Sequence, residues 1–170
     1  KDTVIFGNLP YNISTQILLK LIKISVWPPE YFKLILMFQK EVAERILAKY
    51  NTANYGRLSI VSNWRLKIID HFDVSKNCFH PKPKVNSSVV IFEPKVNNSY
   101  IIKDIINLEK VTQIFFSNRR KMINKSFKKL FGDNQNINKI IKVDLTNRPS
   151  NLKPEDFYRM TEYYESGLNT

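Results

Sequence analysis

Cysteine is nearly missing from this 170-residue sequence. Cys78 stands alone, so no internal disulfide can form, which fits a reducing compartment. Glycine is scarce as well: Gly7, Gly56, Gly132 and Gly167 are too dispersed to build a glycine-rich ligand loop. No apolar run reaches the roughly 18 residues of a membrane span, and the opening residues carry no signal-peptide pattern. A cytoplasmic protein with no membrane partner is the expectation. Acid is the last shortage, with 15 Asp and Glu against 27 Lys and Arg, a net charge of +12 and a pI near 9.8. Such an excess suits a polyanionic partner, because each contacted phosphate releases condensed counterions. A basic surface without any nucleic-acid role is the plainer alternative.

What is present is enough for a packed protein. Hydrophobic residues make up 43%, sufficient for one sizeable core with or without a small satellite, and 25% charge argues against wholesale disorder. Lys1-Asp2-Thr3 leads directly into an apolar run with nothing to introduce it, so the sequence reads as beginning inside a domain. Val4 to Phe6, ended by Gly7-Asn8, predicts a buried strand leaving for a loop. The apolar spacing of Gln16 to Ile24 predicts a helix, with Ser14 or Thr15 as N-cap and Pro28-Pro29 as stop. Lys33 to Phe38 reads as a strand, Glu41 to Tyr50 as a helix, and Arg57 to Ile69 as a loosely alternating strand. Val85 to Phe92, after the stiff Pro81-Lys82-Pro83 loop, reads as a fourth strand. This is the closing half of an α/β sheet, with an antiparallel hairpin at its end. After a polar linker at 94–100, helices are expected over 101–116, 119–131, 136–143 and 154–164, with Pro154 in a first turn. The predicted domains are thus residues 1–94 and a helical, basic unit over residues 95–170.

Asn8-Leu9-Pro10-Tyr11 sits just past the C-terminal end of a predicted strand, where open α/β sheets bind ligands. An exocyclic adenine amine is a poor nucleophile because its lone pair is delocalised into the ring. Acceptors on its two N–H groups would favour a pyramidal nitrogen and free that lone pair. The Asn8 amide oxygen and the Leu9 carbonyl are such acceptors. Pro10 has no N–H to compete and stiffens the loop, while Tyr11 offers a flat face for an extruded base. An ordinary Asn-x-Pro turn with its Tyr packed on its own domain is the competing reading of the same four residues.

The longer string Gly7-Asn8-Leu9-Pro10-Tyr11-Asn12-Ile13-Ser14 is very similar to the fourth methyltransferase motif of the rRNA adenine N6-dimethyltransferases. Further segments follow in that family's order. Phe38 to Arg45 and Tyr55-Gly56-Arg57-Leu58-Ser59 resemble a strand-to-helix segment and the entry to its next strand. Phe79-His80-Pro81-Lys82-Pro83-Lys84-Val85-Asn86-Ser87 resembles its Phe-x-Pro-x-Pro-x-Val-x-Ser loop. Phe116 to Lys121 and Arg148 to Phe157 match its Phe-x-x-Arg-Arg-Lys and Arg-x-x-x-Leu-x-x-x-x-Phe segments. The resemblance implies the C-terminal half of a Rossmann-like methyltransferase sheet followed by a small all-α domain. It implies N6,N6-dimethylation of two adjacent adenines in small-subunit rRNA during ribosome biogenesis, with S-adenosyl-L-methionine as methyl donor. It gives Asn8 and the Leu9-Pro10 backbone the amine, with Asn8 also beside the cofactor, and places the base between Tyr11 and Phe79. His80, Lys82 and Asn86 depart from the family's usual choices, which affects loop packing and leaves the stacking Phe79 intact.

The family's glycine-rich cofactor loop and following acid are not in the sequence, so this polypeptide alone is expected neither to bind S-adenosylmethionine well nor to methylate RNA. His71, Cys78 and His80 lack a fourth ligand, and no metal is expected. Residues 117–142 hold eight basic residues against Asp133 alone. On a helix from Arg119 to Phe131, Lys121, Lys125 and Lys128 share a face opposite Ile123 and Phe127, as a phosphate-tracking surface would. Arg119 and Arg120 near its start would reach RNA or pair with the α/β domain, and Lys82 and Lys84 on the Phe79 loop join the RNA-binding set. A monomer working on the immature small ribosomal subunit is the expectation. Two alternatives remain: a non-catalytic rRNA-binding assembly factor, and a methyltransferase acting on large-subunit rRNA.

Overall fold

A computed structural model describes residues 3–133 and 135–167; the chain's first two residues, which open the reading above, lie outside that range. The chain divides into two compact units, Lys1–Leu47 with Arg65–Asn97, and Ala48–Trp64 with Asn98–Thr170.

The first unit is α/β. Its strands are β1 (Thr3–Asn8), β2 (Tyr31–Gln39), β3 (Leu66–Val74) and β4 (Ser87–Pro94), and its helices α1 (Ser14–Ile22) and α2 (Lys40–Leu47). The sheet order is β1-β2-β4-β3. β1 and β2 run parallel, and β4 lies antiparallel to both β2 and β3. Alternation fixes the core face of β2, where Leu34, Leu36 and Phe38 are fully buried and Ile35 and Met37 are half-buried. Val90 and Phe92 of β4 join them, with Phe92 edge-on to Phe38 at 6.4 Å. Leu18 and Ile22 of α1 and Ile46 of α2 complete the core.

The second unit is helical. α3 (Arg57–Arg65), α4 (Ile105–Phe116), α5 (Asn124–Phe131), α6 (Gln135–Ile141) and α7 (Pro154–Gly167) pack around Phe115, Phe127 and Phe157. Phe115 meets Phe157 edge-on at 5.8 Å, and Phe116 stacks on it at 5.7 Å. Glu165, almost fully buried on α7, accepts from the backbone N–H groups of Lys103 (2.7 Å) and Asp104 (3.0 Å) and from Asn107 Nδ2 (2.8 Å). These bonds hold the entry to α4, whose N-cap Asp104 accepts from the Ile106 N–H at 2.9 Å.

Four expectations need correction. β1 is not buried: Phe6 is exposed and Val4 and Ile5 are half-buried, because β1 lies at an edge of the described sheet. Arg57 to Ile69 is not one strand: residues 57–65 form α3, and β3 starts only at Leu66. Gly56 directly precedes the helix, and its carbonyl accepts from the Ser59 hydroxyl (2.8 Å) and the Ile60 N–H (3.2 Å); the run Ser59 to Ser62 is buried all round. A helix buried on all sides shows no amphipathic period, which is why it reads as a strand. Helix 119–131 starts late, at Asn124, because residues 117–122 turn instead, with Lys121 N–H on the Asn118 carbonyl (2.9 Å) and Ile123 N–H on Asn147 (2.9 Å). Neither Ser14 nor Thr15 is the N-cap of α1. Ile13 holds that position without a side-chain cap bond, and the Ser14 hydroxyl instead donates to the Tyr11 carbonyl at 3.3 Å.

Candidate active site

Asn8 ends β1, and the chain then folds sharply back. A Cβ on Gly7 would meet side-chain carbons of Leu9 and Leu36 at 2.8 and 2.9 Å, so only glycine lets Leu9 tuck against the buried face of β2. With Leu9 buried, the Asn8 side chain is exposed, beside the exposed Pro10 and half-buried Tyr11. The turn closes with the Ile13 N–H on the Pro10 carbonyl at 3.1 Å. Among the described residues, no protein hydrogen bond occupies the Asn8 amide or the Leu9 carbonyl, the two acceptors singled out by the sequence.

Phe79 arrives from the loop between β3 and β4. That loop opens with a short 3-10 turn, Lys76–Cys78, capped by the Ser75 hydroxyl accepting from Asn77 N–H. Asn86 closes it, its side-chain oxygen accepting from the Lys76 N–H (3.1 Å) and its carbonyl from the Lys40 N–H (3.0 Å). Asn8, Leu9, Pro10, Tyr11, Phe79, Pro81 and Pro83 line one open cavity of about 230 Å³. Every base-site residue named from sequence is among them. The Tyr11 hydroxyl also lies 2.7 Å from the Ser87 hydroxyl, a contact sequence reasoning did not foresee.

Beside this cavity's strands, Lys40 Nζ pairs with Asp73 at 2.5 Å, and the buried Ser88 hydroxyl donates to the same carboxylate at 2.6 Å. The Lys40 bond first, and the Ser88 bond second, hold the Asp73 carboxyl below the usual carboxylate range, and Asp73 in turn raises Lys40. Lys82 and Lys84 are exposed on the Phe79 loop but do not line the cavity.

In the helical unit, Arg120, Lys121 and Lys125 line a second cavity of about 440 Å³, joined by Arg148 and by no acidic residue. Arg148 was not singled out; its place at the head of the Arg-x-x-x-Leu segment was the available signal. The expected helix face would already have put Lys121 beside Lys125; with the turn at 117–122, Arg120 and Arg148 line the same cavity. Arg119 has another use, donating to the Thr52 carbonyl at 3.3 Å and to that of Ala53, so its guanidinium braces a loop of its own unit. Lys128 is exposed and pairs with Asp133 at 2.7 Å. Among the described residues no group of His, Cys, Asp and Glu is placed to hold a metal, and no helix is long and apolar enough to cross a membrane.

Comparison with known proteins identifies the family. Residues 1–166 match the family model for ribosomal RNA adenine dimethylase. The ribosomal RNA small subunit methyltransferase A of Pelagibacter ubique is 46% identical over 162 residues, which span 95% of this chain and 61% of that protein. Its namesake in Nitrobacter winogradskyi is 42% identical over 156 residues, 92% of this chain and 54% of its own length. The chain therefore spans little more than half of such relatives. A crystal structure of a dimethyladenosine transferase from Plasmodium falciparum superposes with a TM-score of 0.75 at 28% identity, covering 98% of this chain and 68% of that one. The 23S rRNA methyltransferase ErmE shares the fold, with a TM-score of 0.62 at 18% identity over 97% of this chain and 66% of its own. The chain belongs to the ribosomal RNA adenine dimethylase family.

Proposed function

We propose that the protein transfers methyl groups to N6 of two adjacent adenines in small-subunit rRNA, and that this chain supplies the base-binding half together with a basic, RNA-holding helical unit. The observation that carries the proposal is the single cavity shared by Asn8, Leu9, Pro10, Tyr11 and Phe79. An adenine turned out of its helix enters between the Tyr11 and Phe79 rings. Its amino protons are accepted by the Asn8 amide oxygen and the Leu9 carbonyl, which turns the nitrogen lone pair toward the methyl donor. Because these acceptors are held before the base arrives, little reorganisation accompanies the reaction. After transfer the nitrogen is cationic and acidic, and it gives its proton to water.

When bound, S-adenosylmethionine supplies an electrophilic methyl group on a sulfonium centre. Of this chain's residues, Asn8 fits its flank, since an exposed amide at the C-terminal end of a strand offers a neutral polar contact without a competing charge. Arg120, Lys121, Lys125 and Arg148 hold the RNA backbone, giving affinity and orientation while the clamped base sets the chemistry. Lys82 and Lys84 meet RNA beside the clamp, and Lys128 extends the basic surface. The protein works as a monomer in the cytoplasm on the immature small subunit.

The test supplies full-length protein with isotopically labelled S-adenosylmethionine and a mixture of unmodified small and large ribosomal subunits, then maps the label by mass spectrometry. Two neighbouring dimethyladenines are expected. Tight rRNA binding with no transfer would instead identify a non-catalytic assembly factor, and label confined to the large subunit would replace the substrate.

A further inference from the structure

We infer that Ser87 is a positioning residue for the base clamp, its hydroxyl fixing the Tyr11 ring at the distance and tilt that face Phe79. This rests on the functional reading above. Tyr11 Oη and Ser87 Oγ are 2.7 Å apart across 76 residues of sequence. The two partners differ in how firmly they are held. Ser87 is fully buried, and its Cα is in register with Gln39 of β2 and Val74 of β3, so it is fixed from both sides. Tyr11 sits in a turn and is only half-buried. A tyrosine has two soft side-chain torsions, and a bond from its far end to an immobile point restricts both.

The anchor also joins both sides of the cavity. Ser87 directly follows the loop that carries Phe79, and its neighbour Asn86 closes that loop onto Lys76 and Lys40. One rigid point therefore holds the hydroxyl of one ring and the root of the other ring's loop. A buried serine that merely satisfied its own hydroxyl would do so equally well on a strand carbonyl; here the partner is the ring that lines the cavity. Loss of the anchor should disorder Tyr11 and slow the chemical step, while phosphate contacts elsewhere keep RNA affinity unchanged.

The experiment compares full-length wild-type protein with Ser87→Ala, Tyr11→Phe and the double variant. It measures single-turnover methylation at saturating RNA, the RNA dissociation constant, and the ring resonances of isotopically labelled Tyr11. Each single variant should lose roughly tenfold in rate, the scale of a modest misplacement of reacting groups. The double variant should lose no more than either single one, because both remove the same bond. RNA affinity should change less than twofold, and release of Tyr11 from its anchor should appear as averaged or broadened ring signals in Ser87→Ala. Wild-type rate in Ser87→Ala, or losses that multiply in the double variant, overturns the inference. If Ser87→Ala does not fold, Tyr11→Phe removes the bond from its half-exposed end, and wild-type rate there is equally decisive. A wild-type protein that methylates no adenine sinks the functional reading itself, while the Tyr11 resonances still decide whether Ser87 anchors the ring.

Discussion

Replacing Asn8 by alanine separates the chemistry from the scaffold. The Asn8 side chain is exposed, and no protein hydrogen bond among the described residues depends on it. Its backbone remains in register with Met37 of β2 whatever the side chain. Truncation should therefore change folding stability by no more than about 0.5 kcal/mol, the usual range for surface sites without special contacts. The reaction is another matter. Removing one preorganised group that acts on charge developing in the transition state costs about 3–4 kcal/mol, or roughly 10²–10³ in rate. Single-turnover methylation by full-length Asn8→Ala protein should fall by that factor, with RNA affinity within twofold of wild type and an unchanged melting temperature. Equal losses in rate and affinity would show that Asn8 binds RNA rather than activating the amine. A lowered melting temperature would show that it shapes the turn.

Reversing the charge at Lys121 and Lys125 should do the opposite, weakening RNA binding and flattening its salt dependence while the rate at saturating RNA stays near wild type; an unchanged salt slope would refute this. Glu165→Ala leaves two backbone N–H groups and one amide without their buried acceptor, and should cost about 3 kcal/mol in chemical denaturation. A loss under about 1 kcal/mol would show that water replaces the carboxylate. Tyr55→Phe should hold or raise stability, by about 1 kcal/mol, because the Tyr55 hydroxyl is buried without a hydrogen-bond partner among the described residues; clear destabilisation would point to a missed bond. Asp73 titrates below the usual carboxylate range, so its contribution is present above the ordinary carboxyl pKa and is lost as pH falls through the depressed value. Lys40 carries the opposite sign, its contribution fading as pH rises through its raised pKa. In an NMR titration Lys40→Met should move the Asp73 midpoint upward, and an unmoved midpoint would assign the shift to Ser88.

That Asn8, Leu9, Pro10, Tyr11 and Phe79 belong together was legible because each stands in a short string whose chemistry is local: an amide, a proline and a ring at the end of a strand. The core strand β2 was legible as well, since continuous apolar residues at a sheet centre leave few alternatives. α3 was not, because burial on every side erases the helical period. β3 escaped for the opposite reason. As the edge strand it exposes Ile69 and Phe72 among charges, so its pattern carries no clear inside. The basic cavity was half legible. Counting charges located the segment, but only the turn at 117–122 selects Arg120 and Lys121, brings in Arg148 from distant sequence, and sends Arg119 to the backbone of Thr52 and Ala53.

The pairing of Asn8 with Phe79 depends on strand direction more than on either motif. The loop after β1 leaves at the C-terminal end of a parallel pair, where α/β sheets leave their ligand crevice. Phe79 comes from the start of β4, and an N-terminal strand end normally lies at the other edge of such a sheet. Here β4 is inserted antiparallel to β2, with Ser87 opposite Gln39, so its start reaches the same edge as Asn8. Were β4 parallel, its eight residues would carry the Phe79 loop about 25 Å away, at a strand rise of about 3.3 Å per residue. No side chain spans that gap, and neither string alone makes a clamp. The antiparallel insertion makes one cavity of two motifs separated by some 70 residues, and it also places a buried serine where the hydroxyl of Tyr11 can reach it.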